Sequence, residues 1–214
     1  MDVGELKMKK YLFICLLVCL SSAVNAIPIN FSFTGNLSND DDVQFFNFSV
    51  GGISSVTLQT WSYAGGTNAA GNVISAGGFD PILALFDSAG NLISLNDDGG
   101  VGVATDPLTG AAYDTLLTST LNAGDYIVSV MQFNNFVVGS TLSSGFAGAN
   151  TVGFVDSTGA TRSSFWAFDI LNVDVASVPP PVPLPATVWL FFSGLIGLVG
   201  MRKKTIKKIP VFSH

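Results

Sequence analysis

Oxygen-bearing side chains grouped at turn-like spacing are the main chemistry this chain offers. Asp40-Asp41-Asp42, Asp80, Asn96-Asp97-Asp98, Asp106 and Asp114 place hard oxygen ligands on segments that read as loops, the donor type that Ca²⁺ prefers. The same residues suit turns, because Asp and Asn side chains accept hydrogen bonds from nearby backbone N–H groups, so both readings stand at each cluster. Residues 91–102 lack the alternating acids and closing Glu of an EF-hand loop, and a site would have to be assembled from separate loops. Charge favours such a site. Residues 27–178 hold thirteen Asp, no Glu, no Lys and one Arg, Arg162, so 1 − 13 leaves a net charge of −12, and a divalent ion would relieve the mutual repulsion. Calcium is the one cofactor this suggests, with Asp40, Asp41, Asp42, Asp80, Asn96, Asp97, Asp98 and Asp114 as candidate ligands.

Other chemistries are poorly supplied. The single histidine, His214, lies in the C-terminal tail, beyond a site where processing is expected, so neither a Ser-His-Asp triad nor histidine-ligated zinc is expected in the mature product. Within residues 27–178 a single Arg against thirteen Asp cannot neutralise phosphates, so nucleic acid is not an expected partner. Paired Asp carboxylates of a hydrolase are formally available, but the acids fall on turn-like segments, and we expect no enzyme. Trp61, Tyr63 and Trp166 are candidate glycan-stacking residues, although aromatics at strand ends more often pack in the core.

The elements that must position these residues read as β-strands. Short runs rich in β-branched and aromatic residues, such as Ile29-Asn30-Phe31-Ser32-Phe33, Val56-Thr57-Leu58-Gln59-Thr60-Trp61, Ile82-Leu83-Ala84-Leu85-Phe86 and Tyr126-Ile127-Val128-Ser129-Val130, alternate with Gly, Asn, Ser and Asp clusters. That pattern predicts an all-β antiparallel sandwich. Between Phe45 and Phe46 the apolar parity shifts, which predicts a β-bulge. Residues 163–175 read as the closing strand. The Gly/Ser/Thr-rich stretch 137–160 specifies no element.

Both ends carry targeting chemistry. Lys7, Lys9 and Lys10 precede the apolar run 11–20, and Val24-Asn25-Ala26 offers small residues for signal peptidase. This predicts a signal peptide over 1–26, with Met8 as an alternative start that removes Asp2 and Glu5. Cys15 and Cys19 lie within it, so the mature body from Ile27 is expected to hold no thiol. At the other end, a Pro-rich linker at 179–185 leads into an uncharged block at 186–201 and a basic tail at 202–214. Sixteen helical residues span roughly 24 Å, a little under the ~30 Å hydrocarbon core. Snorkelling cations close that gap, so the block is expected to be a single transmembrane helix.

Val182, Pro183, Leu184, Pro185 and Ala186, followed by the apolar block and then Arg202, Lys203 and Lys204, resemble the PEP-CTERM sorting signal. The resemblance implies an exosortase as processing partner, a transient inner-membrane anchor, and delivery to the surface or extracellular matrix of a Gram-negative bacterium that makes exopolysaccharide. Leu184 stands where the family has Glu, which bears on the exosortase subtype.

A second resemblance runs from Asp40 to Phe133. Asp41-Asp42-Val43-Gln44-Phe45-Phe46-Asn47-Phe48, Phe79-Asp80-Pro81-Ile82-Leu83-Ala84-Leu85-Phe86-Asp87, Gly90-Asn91-Leu92, Asn96-Asp97-Asp98-Gly99-Gly100, Tyr113-Asp114-Thr115-Leu116-Leu117 and 121–130 are similar, in that order, to the bacterial pre-peptidase C-terminal domain. It implies a small jelly-roll-type sandwich without catalytic function. The expected function is a non-enzymatic exported surface or matrix protein associated with exopolysaccharide or biofilm. The alternatives are a carbohydrate-binding module using Trp61, Tyr63 or Trp166, and a hydrolase using Asp pairs.

Overall fold

Eleven strands follow one another in the computed structural model, which describes residues 29–179: β1 (Ile29–Asn36), β2 (Val43–Val50), β3 (Ser54–Thr60), β4 (Gly66–Thr67), β5 (Val73–Ile74), β6 (Pro81–Asp87), β7 (Leu92–Asn96), β8 (Leu116–Leu121), β9 (Gly124–Gln132), β10 (Phe165–Val173) and β11 (Val175–Ser177). The signal peptide, the apolar block, the basic tail and the motif residues Val182 to Ala186 and Arg202 to Lys204 lie outside the described residues. No described helix is long and apolar enough to cross a membrane.

Two antiparallel sheets, ordered β1-β10-β3-β8 and β11-β2-β9-β6-β7, form the sandwich, with β4 and β5 making a separate small ladder. Apart from the β6–β7 hairpin, successive sandwich strands alternate between the two sheets. Inward-facing residues interleave as strand alternation dictates. Phe46 is fully buried and sits edge-on to Trp166 at 5.5 Å and tilted against Phe168 at 4.9 Å. Val56, Leu58, Leu83, Leu85, Val128, Val130 and Ile170 fill the rest of this layer.

A second apolar layer lies on the outer face of the five-stranded sheet. Ile82, Ala84, Phe86 and Met131 are fully buried there, packed against Val43, Leu92, Phe136, Val137, Leu142 and Phe146. This explains β6: buried on both faces from Pro81 to Phe86, it reads as a continuous apolar run instead of an alternating one. The cover comes from the unassigned stretch that begins at 137, which folds as loops with a short 3₁₀ turn at Leu142–Ser144.

Two expectations about the strands are corrected. No bulge separates Phe45 from Phe46, because β2 pairs with β9 in unbroken register from Val43↔Met131 to Val50↔Gly124. Phe45 keeps its outward parity and meets Phe146 at 6.0 Å; the parity shift arose because a second layer covers that face. The closing strand is also two strands. Asn172 takes φ 64°, and the Asp174 N–H bonds the Ser49 carbonyl at 2.9 Å as the chain passes from β10 in one sheet to β11 in the other.

Candidate metal centre

Hairpin register gathers the acids. β6 and β7 pair with Leu83 opposite Asn96 and Ala84 opposite Leu95, so the residue before β6 and those just after β7 meet at one end of the sheet. Asp80, Asp97 and Asp98 converge there, each offering a carboxylate oxygen within 4.8 Å of the others. The backbone is fixed from three sides. The Phe133 N–H bonds the Asp80 carbonyl at 2.8 Å, and the Thr115 hydroxyl lies 2.6 Å from the Pro81 carbonyl and 3.1 Å from that of Asp97. The Gly99 N–H bonds the Asp114 carbonyl at 2.8 Å. A Cβ on Gly99 would stand 2.3 Å from Val103 and 2.9 Å from that same carbonyl, so the tight exit from the cluster requires glycine.

Within the cluster the charges are poorly compensated. Asp80 is 2 % exposed, and its Oδ1 and that of Asp97 are buried without a hydrogen-bond partner. Burial first, and then the charges of Asp97 and Asp98, push Asp80 up to about 8, while the Ser157 N–H only partly opposes this. Asp97 is raised to about 6 by burial and by Asp98, and burial raises the more exposed Asp98 as well. Arg162, the sole cation among the described residues, is bound to Asp106 instead.

The other candidate ligands are placed elsewhere. Asp42 accepts from the Ser38 and Asn39 N–H groups and Asp41 from that of Ala149, while Asp40 reaches Thr151 at 3.5 Å. Their carboxylates close loops. Asp114 is buried and receives the Thr60 hydroxyl and the Ser62, Tyr63 and Ala64 N–H groups, which leaves it committed to the backbone. Asn96 is the exception: it ends β7 opposite Leu83 and next to Asp97, and its Oδ1 is buried without a hydrogen-bond partner.

Of the aromatic candidates, Tyr63 and Trp166 are buried and Trp61 is half-buried. Tyr63 is fully buried, lies beneath the Arg162 guanidinium at 3.8 Å, and donates its hydroxyl to Asp156 at 2.7 Å; burial is the main cause that pushes it up to about 12. Trp166 is 4 % exposed within the core. Trp61 donates its indole N–H to Asp169 at 2.8 Å, and a Cβ on Gly66 would approach its ring to 2.7 Å. Neither Tyr63 nor Trp166 offers a free ring face for sugar stacking. Two surface grooves, one bordered by Asn47, Ser49, Asp125, Tyr126 and Val175 and the other by Val73, Ser75, Ser163 and Phe165, contain none of the three.

Sequence reasoning missed Thr115, which ties the cluster's two strands together, and Arg162 and Asp156, which bracket Tyr63. A Thr immediately after Asp114 carried no distinguishing signal. Arg162 did, as the only cation in the body.

Comparison with known proteins adds one match outside the described residues. Residues 181–204 match the PEP-CTERM protein-sorting motif, and thus contain Val182 to Ala186 and Arg202 to Lys204. No curated protein matches the chain. A solved structure, the pre-peptidase C-terminal domain of a collagenase from Bacillus anthracis, is similar at 10 % identity over 70 % of this chain and 90 % of that one, with a TM-score of 0.34.

Proposed function

We infer from the PEP-CTERM motif at residues 181–204 that the chain is an exported protein sorted by an exosortase. We propose that it is a non-enzymatic surface or extracellular-matrix protein with a jelly-roll-type body. It passes through an inner-membrane intermediate after signal-peptidase cleavage and acts within the exopolysaccharide or biofilm layer of a Gram-negative bacterium. The sorting segment carries this reading. The placement of the acids supports a body without catalysis: Asp41, Asp42, Asp87, Asp106, Asp114, Asp156 and Asp169 each accept hydrogen bonds from backbone N–H groups, which commits them to the fold.

Fractionation of cells with and without the exosortase tests the proposal. A form lacking residue 186 onwards is expected at the surface, co-purifying with exopolysaccharide, only when the exosortase is present. Replacing Pro183 and Pro185 removes the fixed-φ segment ahead of the apolar block and should impair processing. Full-length tail in the surface fraction would reject the proposal.

A further inference from the structure

We propose that Asp80, Asp97 and Asp98 form a Ca²⁺ site that ties the start of β6 to the end of β7. The inference does not depend on how the protein is sorted. Two independent observations support it. The three carboxylates each present an oxygen within 4.8 Å of the others, which fits inside the roughly 4.6–5.2 Å diameter of a shell of oxygens at 2.3–2.6 Å from one ion. In addition, Asp80 is 98 % shielded (2 % exposed) while its Oδ1 has no hydrogen-bond partner, and the Oδ1 of Asp97 is likewise buried and unpartnered. Buried polar atoms are almost always satisfied. A bound cation would satisfy both of these bare carboxylate oxygens at once.

The chemistry selects the ion. All three donors are carboxylates, which suit hard cations and not zinc or copper. Asp98 is exposed, so water can complete a six- to eight-oxygen Ca²⁺ shell there. Mg²⁺ demands shorter, near-octahedral bonds and gives up its waters reluctantly. With three acids and no preformed cage, the affinity belongs to the extracellular class, with Kd on the order of 10⁻⁴–10⁻³ M, which suits an exported protein. The Thr115 hydroxyl, poised between the Pro81 and Asp97 carbonyls, holds the two ligand-bearing strands in register and acts as a positioning residue.

Calorimetric titration of the full chain in detergent with CaCl₂ should show one site in that Kd range. The melting temperature should rise by a few degrees at roughly tenfold excess over Kd. MgCl₂ should do less, and NaCl at matched ionic strength should not reproduce the shift. Asp97→Asn should abolish binding, whereas Asp41→Asn, in the separate acidic triplet, should retain it. Asp80→Asn separates a metal role from a structural one. In chelator it should melt at or above the wild type, because it removes a carboxylate from a crowded cluster, and in Ca²⁺ it should melt below. Absence of Ca²⁺ binding, binding that survives Asp97→Asn, or an equal loss of stability by Asp80→Asn in chelator and in Ca²⁺ would overturn the site.

Discussion

Arg162 and Asp106 form a buried ion pair, 2.7 Å between Nη1 and Oδ2, with side chains 4 % and 2 % exposed. The rest of the guanidinium is also occupied, donating to the Gly78 carbonyl at 3.0 Å and the Tyr63 carbonyl at 2.8 Å while covering the Tyr63 ring. Arg162→Met therefore strands a buried carboxylate and two carbonyls. It should cost about 3–5 kcal/mol, read as a fall in the urea midpoint. Arg162→Lys should recover only part of this, because one ammonium cannot reproduce the planar fork.

Asp106 makes the same region sensitive to acid. Burial pushes its carboxyl upward, but the Leu108 N–H, Arg162 and Thr109 outweigh that and hold it below the ordinary carboxylate range. A group depressed in the folded state contributes stability above its unfolded pKa of roughly 3.9, and that contribution is lost as pH falls through the folded value. The gap in melting temperature between wild type and Asp106→Asn should thus be widest near neutrality and close as pH drops below about 4. A gap that stays constant with pH would show that the charge contributes nothing.

Asp114→Ala should be among the most damaging substitutions away from the apolar core. The carboxylate accepts three N–H groups and one hydroxyl from the turn after β3, at 2.7–3.1 Å. Each buried donor left without an acceptor costs about 1–3 kcal/mol. We expect a loss of at least ~3 kcal/mol by chemical denaturation. Thr60→Val removes one of the four donors and also the acceptor of the buried Thr115 N–H at 2.8 Å, so it should cost about 1–3 kcal/mol.

Gly35→Ala tests the packing that makes Trp166 a core residue. A Cβ at 35 would lie 2.4 Å from the Trp166 ring, which already meets Phe46 edge-on at 5.5 Å. Overpacking of this kind costs roughly 1–3 kcal/mol, and the tryptophan emission should shift as the ring moves. An unchanged spectrum and an unchanged midpoint would place Trp166 in a looser environment than described.

Most strands were legible because aromatic and β-branched residues fit a pleated, half-buried surface wherever they fall. The sandwich was legible because turn chemistry recurs between those runs. Phe45 misled for a physical reason: alternation reports one buried face, and here loops from 136 to 147 bury the second. Asp80 and the Asp97-Asp98 pair were each visible as candidate ligands, but their meeting was not, since sixteen residues lie between Asp80 and Asp97. A closer reading of residues 81–96 as one hairpin would have brought its two ends together. Asp40, Asp41, Asp42 and Asp114 carry the same side chain, yet local backbone N–H groups claim them, a fact that composition cannot reveal.

The order in which β10 and β11 hold the chain has a mechanical consequence. β10 is clamped between β1 and β3, whereas β11 is a three-residue edge strand held only by β2, with Val175, Ala176 and Ser177 facing Ser49, Phe48 and Asn47. The sorting segment begins at residue 181, so tension arriving through the tail loads β11 first. The strand acts as a weak link in series: it should yield before the sandwich, lengthen the tether by a few residues and bare a short strip of β2 able to pair with another strand. Under a force clamp attached at residue 179, a small early extension should precede the main rupture. Asp174→Pro, which removes the N–H bonded to Ser49, should lower the force of that first step and leave the second unchanged.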